Sequence, residues 1–151
     1  NAYLDAMRWM GQTMEGLRKG DADLDLGAFV FESRNYLRSY GVIPESAWKG
    51  YNDFSSSPYY TRLEETLESF VVHKMASVKR VKGKKRKEAF YVRAEKELFA
   101  IIENMTGAIP QSFEYEGKIY TPKSFAYKFF PELYEPVVQV EMKTKSLGVI
   151  V

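Results

Sequence analysis

The 151-residue chain has no cysteine and a single histidine, His73. Without a thiol it can form no disulfide and carries no thiolate nucleophile of its own. With no second histidine or cysteine, a zinc ligand set cannot be completed. His73, in the charged stretch VVHKMASVKR, therefore reads as a surface side chain. No run of about 18 apolar residues and no secretory leader pattern is present, so no membrane span is expected and localisation stays open. The net charge of +2 and a pI near 8.6 give too weak a field to imply nucleic acid. The acidic link Asp21, Asp23, Asp25 lacks the further glycine and terminal glutamate of a calcium loop, so no metal is expected there.

What is present is ordinary in apolar content, 45%, and in charged content, 28%, but rich in aromatics at 15%, with eleven tyrosines and ten phenylalanines. A chain of this length is about one domain and buries roughly 70% of its unfolded surface if it folds alone. The spacing of Tyr3, Met7, Met10, Met14 and Leu17 predicts a helix over Tyr3 to Lys19, stopped by Gly20. Such a methionine stripe reads as core filling before it reads as a binding groove. After a loop through Trp48, Gly50 and Asn52, the pair Ser57-Pro58 opens a third helix running to Val78. This helix buries Leu63, Leu67, Phe70, Val71 and Met75. A fourth, to Met105, carries Tyr91, Ala94, Leu98, Ile101 and Met105 on its buried stripe and is stopped by Gly107. Between them, KRVKGKKRK from Lys79 to Lys87 holds seven basic residues in nine. It reads as a solvated turn around Gly83, and it lacks the aromatics that stack on bases.

The last third changes character. Phe113 and Tyr115 alternate with Glu114 and Glu116, Gly117 permits a tight turn, and Ile119 and Tyr120 return, which predicts a short hairpin. Thr121 caps a helix with Pro122 in its first position, running to Phe130 before Pro131. Two apolar runs, Val137 to Val140 and Leu147 to Val151, read as strands. No internal repeat or low-complexity segment is found.

The segment from Asp25 to Asn52 is the most informative. Asp25 is placed to satisfy free N–H groups at a helix start, so the second helix is expected to begin at Leu26 and Gly27. Phe29, Ser33, Tyr36, Leu37 and Tyr40 would line its buried face and Glu32, Arg34 and Arg38 its wet one, and Gly41 would end it. The exit Tyr40-Gly41-Val42-Ile43-Pro44-Glu45 is similar to a phrase of papain-like cysteine peptidases of the bleomycin hydrolase and bacterial aminopeptidase C branch. Residues Phe113 to Phe125 resemble that family's short hairpin followed by a Thr-Pro-x-x-Phe helix start. The two ordered matches span roughly Ala2 to Glu135.

The resemblance implies an α+β, predominantly helical fold, part of a papain-like cysteine peptidase. Residues 1–110 would be the helical wall, with a helical hairpin insertion at 58–106. Residues 111–151 would hold the hairpin, short helix and strands leading onward. Family catalysis uses a cysteine thiolate with a histidine and an asparagine, and none of these stands at a matching position here. The chain begins at Asn1, and the resemblance implies an internal segment of a longer peptidase, inactive alone, its nucleophile supplied outside. No catalytic residue is therefore assigned, and no metal or organic cofactor is implied. Gly27 stands where the family's second paired glycine meets the substrate backbone, and Leu26 where the first is usual; these two are the candidate substrate-binding residues. The implied partners are the rest of the peptidase fold, a peptide substrate and, as in ring-forming family members, further copies of the chain. The alternative is a non-catalytic helical interaction module or a degenerate peptidase homologue.

Overall fold

The computed structural model describes residues 2–27, 30–50 and 57–136. Four longer helices, α1 (Ala2–Lys19), α2 (Val30–Tyr40), α3 (Ser57–Val78) and α4 (Lys84–Thr106), precede a two-stranded hairpin, β1 (Phe113–Tyr115) and β2 (Lys118–Tyr120). Helix α5 (Pro122–Phe129) and a 3₁₀ turn (Pro131–Tyr134) follow. The architecture is α+β and mostly helical, as the sequence predicts. The two apolar runs expected as strands, Val137 to Val140 and Leu147 to Val151, lie outside the described residues, as do Phe29 and part of the loop before α3.

Helix α1 is the hub, packing against α2, α3 and α4 together. Its methionine stripe is core: Met7, Met10, Met14 and Leu17 are all buried. The burial reaches further round the helix than the stripe, taking in Ala6, Trp9, Gln12 and Thr13, because neighbours stand on three sides. Leu63, Leu67 and Val71 of α3 and Leu98 and Ile102 of α4 close the same core, each fully buried. A leucine so buried contributes about 1.5–3 kcal/mol. Met75, Tyr91, Ile101 and Met105, expected inside, are only half-buried, since each helix of the α3–α4 pair keeps an outer flank in solvent. His73 is exposed on that flank, as its place off the apolar stripe suggests.

Helix α2 departs from expectation at both ends of the argument. Leu26 and Gly27 are not its first turn but part of a non-helical link, and the helix is described from Val30. The reason is local: the Asp25 carboxylate accepts the Gly27 N–H at 3.0 Å, closing a turn two residues long in place of capping a helix. Arg34, expected in solvent, donates from its guanidinium to the carbonyls of Glu132 and Glu135 at 2.6 and 3.1 Å and so holds the 3₁₀ turn against α2. Ser33, Tyr36, Leu37 and Tyr40 are half-buried, because α2 lies at the edge of the bundle.

The hairpin and α5 form as the sequence predicts. Glu116 and Gly117, at φ 49° and 75°, make the turn, and the strands pair Phe113 with Tyr120 and Tyr115 with Lys118. Thr121 and Ser124 cap α5 reciprocally, with Ser124 N–H to Thr121 Oγ1 at 3.1 Å and Thr121 N–H to Ser124 Oγ at 2.9 Å. Phe125 is the pivot of this end. Its ring lies 5.3 Å from Phe113, 5.1 Å from Tyr115 and 4.6 Å from Phe129 between centroids.

Candidate functional site

The exit of α2 and the entry of α5 meet in space. Val42 N–H donates to the Pro122 carbonyl at 2.9 Å, joining the exit of α2 to the entry of α5 across 80 residues of chain. Gly41 makes that approach possible. Its φ of +89° disfavours any side chain, and a Cβ there would stand 2.2 Å from the Pro122 carbonyl carbon. Ile43 beside it is fully buried. The Tyr40 carbonyl accepts from the Tyr3 hydroxyl at 2.9 Å, and the Tyr40 hydroxyl reaches Glu95 at 3.2 Å, so the phrase is tied to α1 and α4 as well. Burial holds both phenols well above the ordinary tyrosine range, and the Glu95 carboxylate adds to the effect at Tyr40. Both therefore stay neutral and serve as fixed donors.

The predicted substrate contacts lie at the other end of α2. Leu26 is buried, 2% exposed, and its carbonyl accepts from the Tyr60 hydroxyl at 3.3 Å. Desolvation raises the Tyr60 pKa, keeping that hydroxyl protonated. Gly27 is exposed, and both of its backbone polar groups have intramolecular partners. Its N–H goes to Asp25, and its carbonyl accepts from Gln12 Nε2 at 2.9 Å. Leu26 thus anchors the link in the core and Gly27 surfaces immediately after it. Asp25, read from sequence as a helix cap, and Gln12, which the sequence reading did not single out, hold the glycine in place. The signal was available in Gln12, a polar residue on α1 between Met10 and Met14.

Comparison with protein-family models, curated proteins and solved structures found no match. The chemistry of the link must therefore be read from its own residues. Beside it, a cleft of about 170 Å³ is lined by Gln12, Glu15, Lys19, Asp21, Asp23 and Asp25. Asp21 spends its carboxylate on the Asp23 N–H at 3.0 Å, and Glu15 pairs with Lys19 at 2.6 Å. Among the described residues no group of histidine, aspartate and glutamate is arranged to hold a metal ion. His73 lies on α3, outside this link, and the arrangement offers backbone hydrogen-bonding groups and no nucleophile with an adjacent base.

Among the described residues no helix is long and apolar enough to cross a membrane. The basic run stands apart from the acidic link: Lys79, Arg80 and Lys82 in the connector and Lys84 to Lys87 in the first turn of α4 are all exposed.

Proposed function

We propose that this chain is an internal segment of a papain-like cysteine peptidase. It would form the helical wall of the substrate cleft, and the thiolate, histidine and asparagine would come from polypeptide outside it. The observation that carries this reading is the contact between Val42 and Pro122. Two phrases chosen for their likeness to one family, far apart in sequence, form a single joint, and the joint needs the glycine that the first phrase supplies. The reaction would be amide hydrolysis through a thioester, as in aminopeptidases of this type. Gly27 would lend its backbone to an extended peptide lying along the link, with Leu26 fixing the backbone from below.

A second reading, a non-catalytic helical module or degenerate homologue, is favoured by one specific observation. Both hydrogen-bonding groups of Gly27 already have partners within the chain, so an added strand would have to displace Asp25 or Gln12. The two readings part in one experiment on the full-length protein. An irreversible thiol-specific peptidyl inhibitor should label it with one inhibitor per chain, and the label should map to a cysteine outside residues 1–151. Full-length protein that stays unlabelled under those conditions is the module, not the peptidase.

A further inference from the structure

The seven basic residues of the run from Lys79 to Lys87 belong to a total of 22, which leaves 15 basic side chains against 20 acidic ones in the rest of the chain. The near-neutral whole is therefore a positive tip on a negative body. The tip closes the α3–α4 hairpin. At Gly83 the backbone turns through φ +92°, with open space where a side chain would stand. Helix α4 then begins without a side-chain cap and without an acid in its first turn.

On one side of this tip the fold makes a concavity of about 400 Å³. Arg80 and Lys82 reach it from the connector, and Arg86 and Arg93, two turns apart on α4, from the other wall. Val81 and the small Ala89 lie between them. Among the described residues none of these four cations is joined to an acid: Glu88 is taken by Arg18, and the remaining ion pairs lie on α1 and between Lys74 and Glu97.

We propose that this concavity is a binding site for a small anion carrying two or more adjacent phosphate groups. The volume is that of a small-ligand site. Three of its four cations are arginines, whose planar forks pair with phosphate oxygens two bonds at a time. Four unpaired positive charges facing one hollow repel one another, and a single multivalent anion relieves that repulsion where a lone carboxylate would not. No aromatic side chain lines the hollow to stack on a base, and none of its lining residues is a large apolar group that would enter a bilayer.

The test is calorimetric titration of the chain with inorganic tripolyphosphate at low salt, with orthophosphate beside it. Tripolyphosphate should bind at least about tenfold more tightly than orthophosphate, and the joint substitution Arg86→Gln and Arg93→Gln should weaken it by at least about tenfold. Arg86→Lys with Arg93→Lys, which keeps charge and loses the fork, should give a smaller loss. The control Lys79→Gln with Lys85→Gln, outside the concavity, should change affinity less than about threefold. Equal weakening by the control pair, or equal affinity for orthophosphate, overturns the site. Phosphatidylcholine vesicles doped with phosphatidylinositol bisphosphate or, at matched surface charge, phosphatidylserine identify the source. Capture by the bisphosphate vesicles alone assigns a lipid headgroup, and capture by neither, with tripolyphosphate bound, assigns a free anion. Equal capture by both makes the tip a general cationic surface and overturns the proposal.

Discussion

Two charged links lead into helices in this molecule, and the fold treats them oppositely. The acidic link after Gly20 is sewn down: Asp21 N–H returns to the Gly16 carbonyl at 2.9 Å, while Leu24 and Leu26 are buried at 6% and 2% exposure. The basic link around Gly83 has only Val81 half-buried, and no side chain caps the helix it starts. The difference lies in the chemistry of the charged residue and in what separates the charges. Aspartates are short acceptors that satisfy backbone N–H groups two residues on, as Asp21 and Asp25 both do. They alternate here with Ala22, Leu24 and Leu26, which turn inward. Lysine and arginine are long donors that can satisfy no N–H group, and KRVKGKKRK offers one apolar residue to anchor it. In these two links, charge sign and the spacing of apolar residues together decide which run is fastened.

The largest effect should come from removing the anchors of the two links. Leu26→Ala should lower the unfolding free energy by about 2–4 kcal/mol in a urea titration, since the side chain is lost from a packed core. Val81→Ala in the basic link should cost no more than about 0.5 kcal/mol. Comparable losses at the two positions would end the distinction, and the acidic link would then be no better fastened than the basic one.

That distinction was only partly legible in the sequence. Apolar spacing located the core stripes of α1, α3 and α4, since helical period is a local property that Met7, Met10, Leu63 and Leu98 carry themselves. Gly117 and the Thr121-Pro122 pair marked the hairpin and the start of α5, again by local chemistry. What the sequence hid was set by long-range partners. Gln12 and Thr13 are buried because three helices surround α1, and Arg34 is half-buried because the 3₁₀ turn folds back upon it. At the candidate site, Gly27 was expected in the first turn of a helix and lies instead in a non-helical link, because its local partners were not readable. Asp25 had two outlets, a helix cap or a short turn, and the burial of Leu26 accompanies the second.

The next smaller effect tests that short turn. Asp25→Ala removes the acceptor of the Gly27 N–H and should cost about 1 kcal/mol in the same titration, with Asp25→Asn recovering part of it. An unchanged midpoint would mean that water replaces the carboxylate at no loss, and that the link is held by its leucines alone.

The smallest effect lies where the two links come closest to being joined. Arg18, near the end of α1, pairs with Glu88 in α4 at 3.0 Å, and its guanidinium stands 4.4 Å from the centre of the Tyr91 ring. The hydrogen bond from Arg18, before any wider field, holds the Glu88 carboxyl below the ordinary glutamate range and raises the Arg18 pKa in return. A carboxylate whose pKa is lowered by folding stabilises the fold above its unfolded value. That contribution fades as pH falls through the ordinary glutamate range and is gone below the depressed folded value. The pair is exposed, so the contribution is small and salt should screen it. Stability of the chain minus that of Glu88→Gln, followed from neutral pH downward, should therefore shrink toward zero in acid, and should be smaller at every pH in high salt. A difference that persists in acid would show that Glu88 acts through packing rather than charge. The two links would then be coupled by the stack of Arg18 on Tyr91 alone.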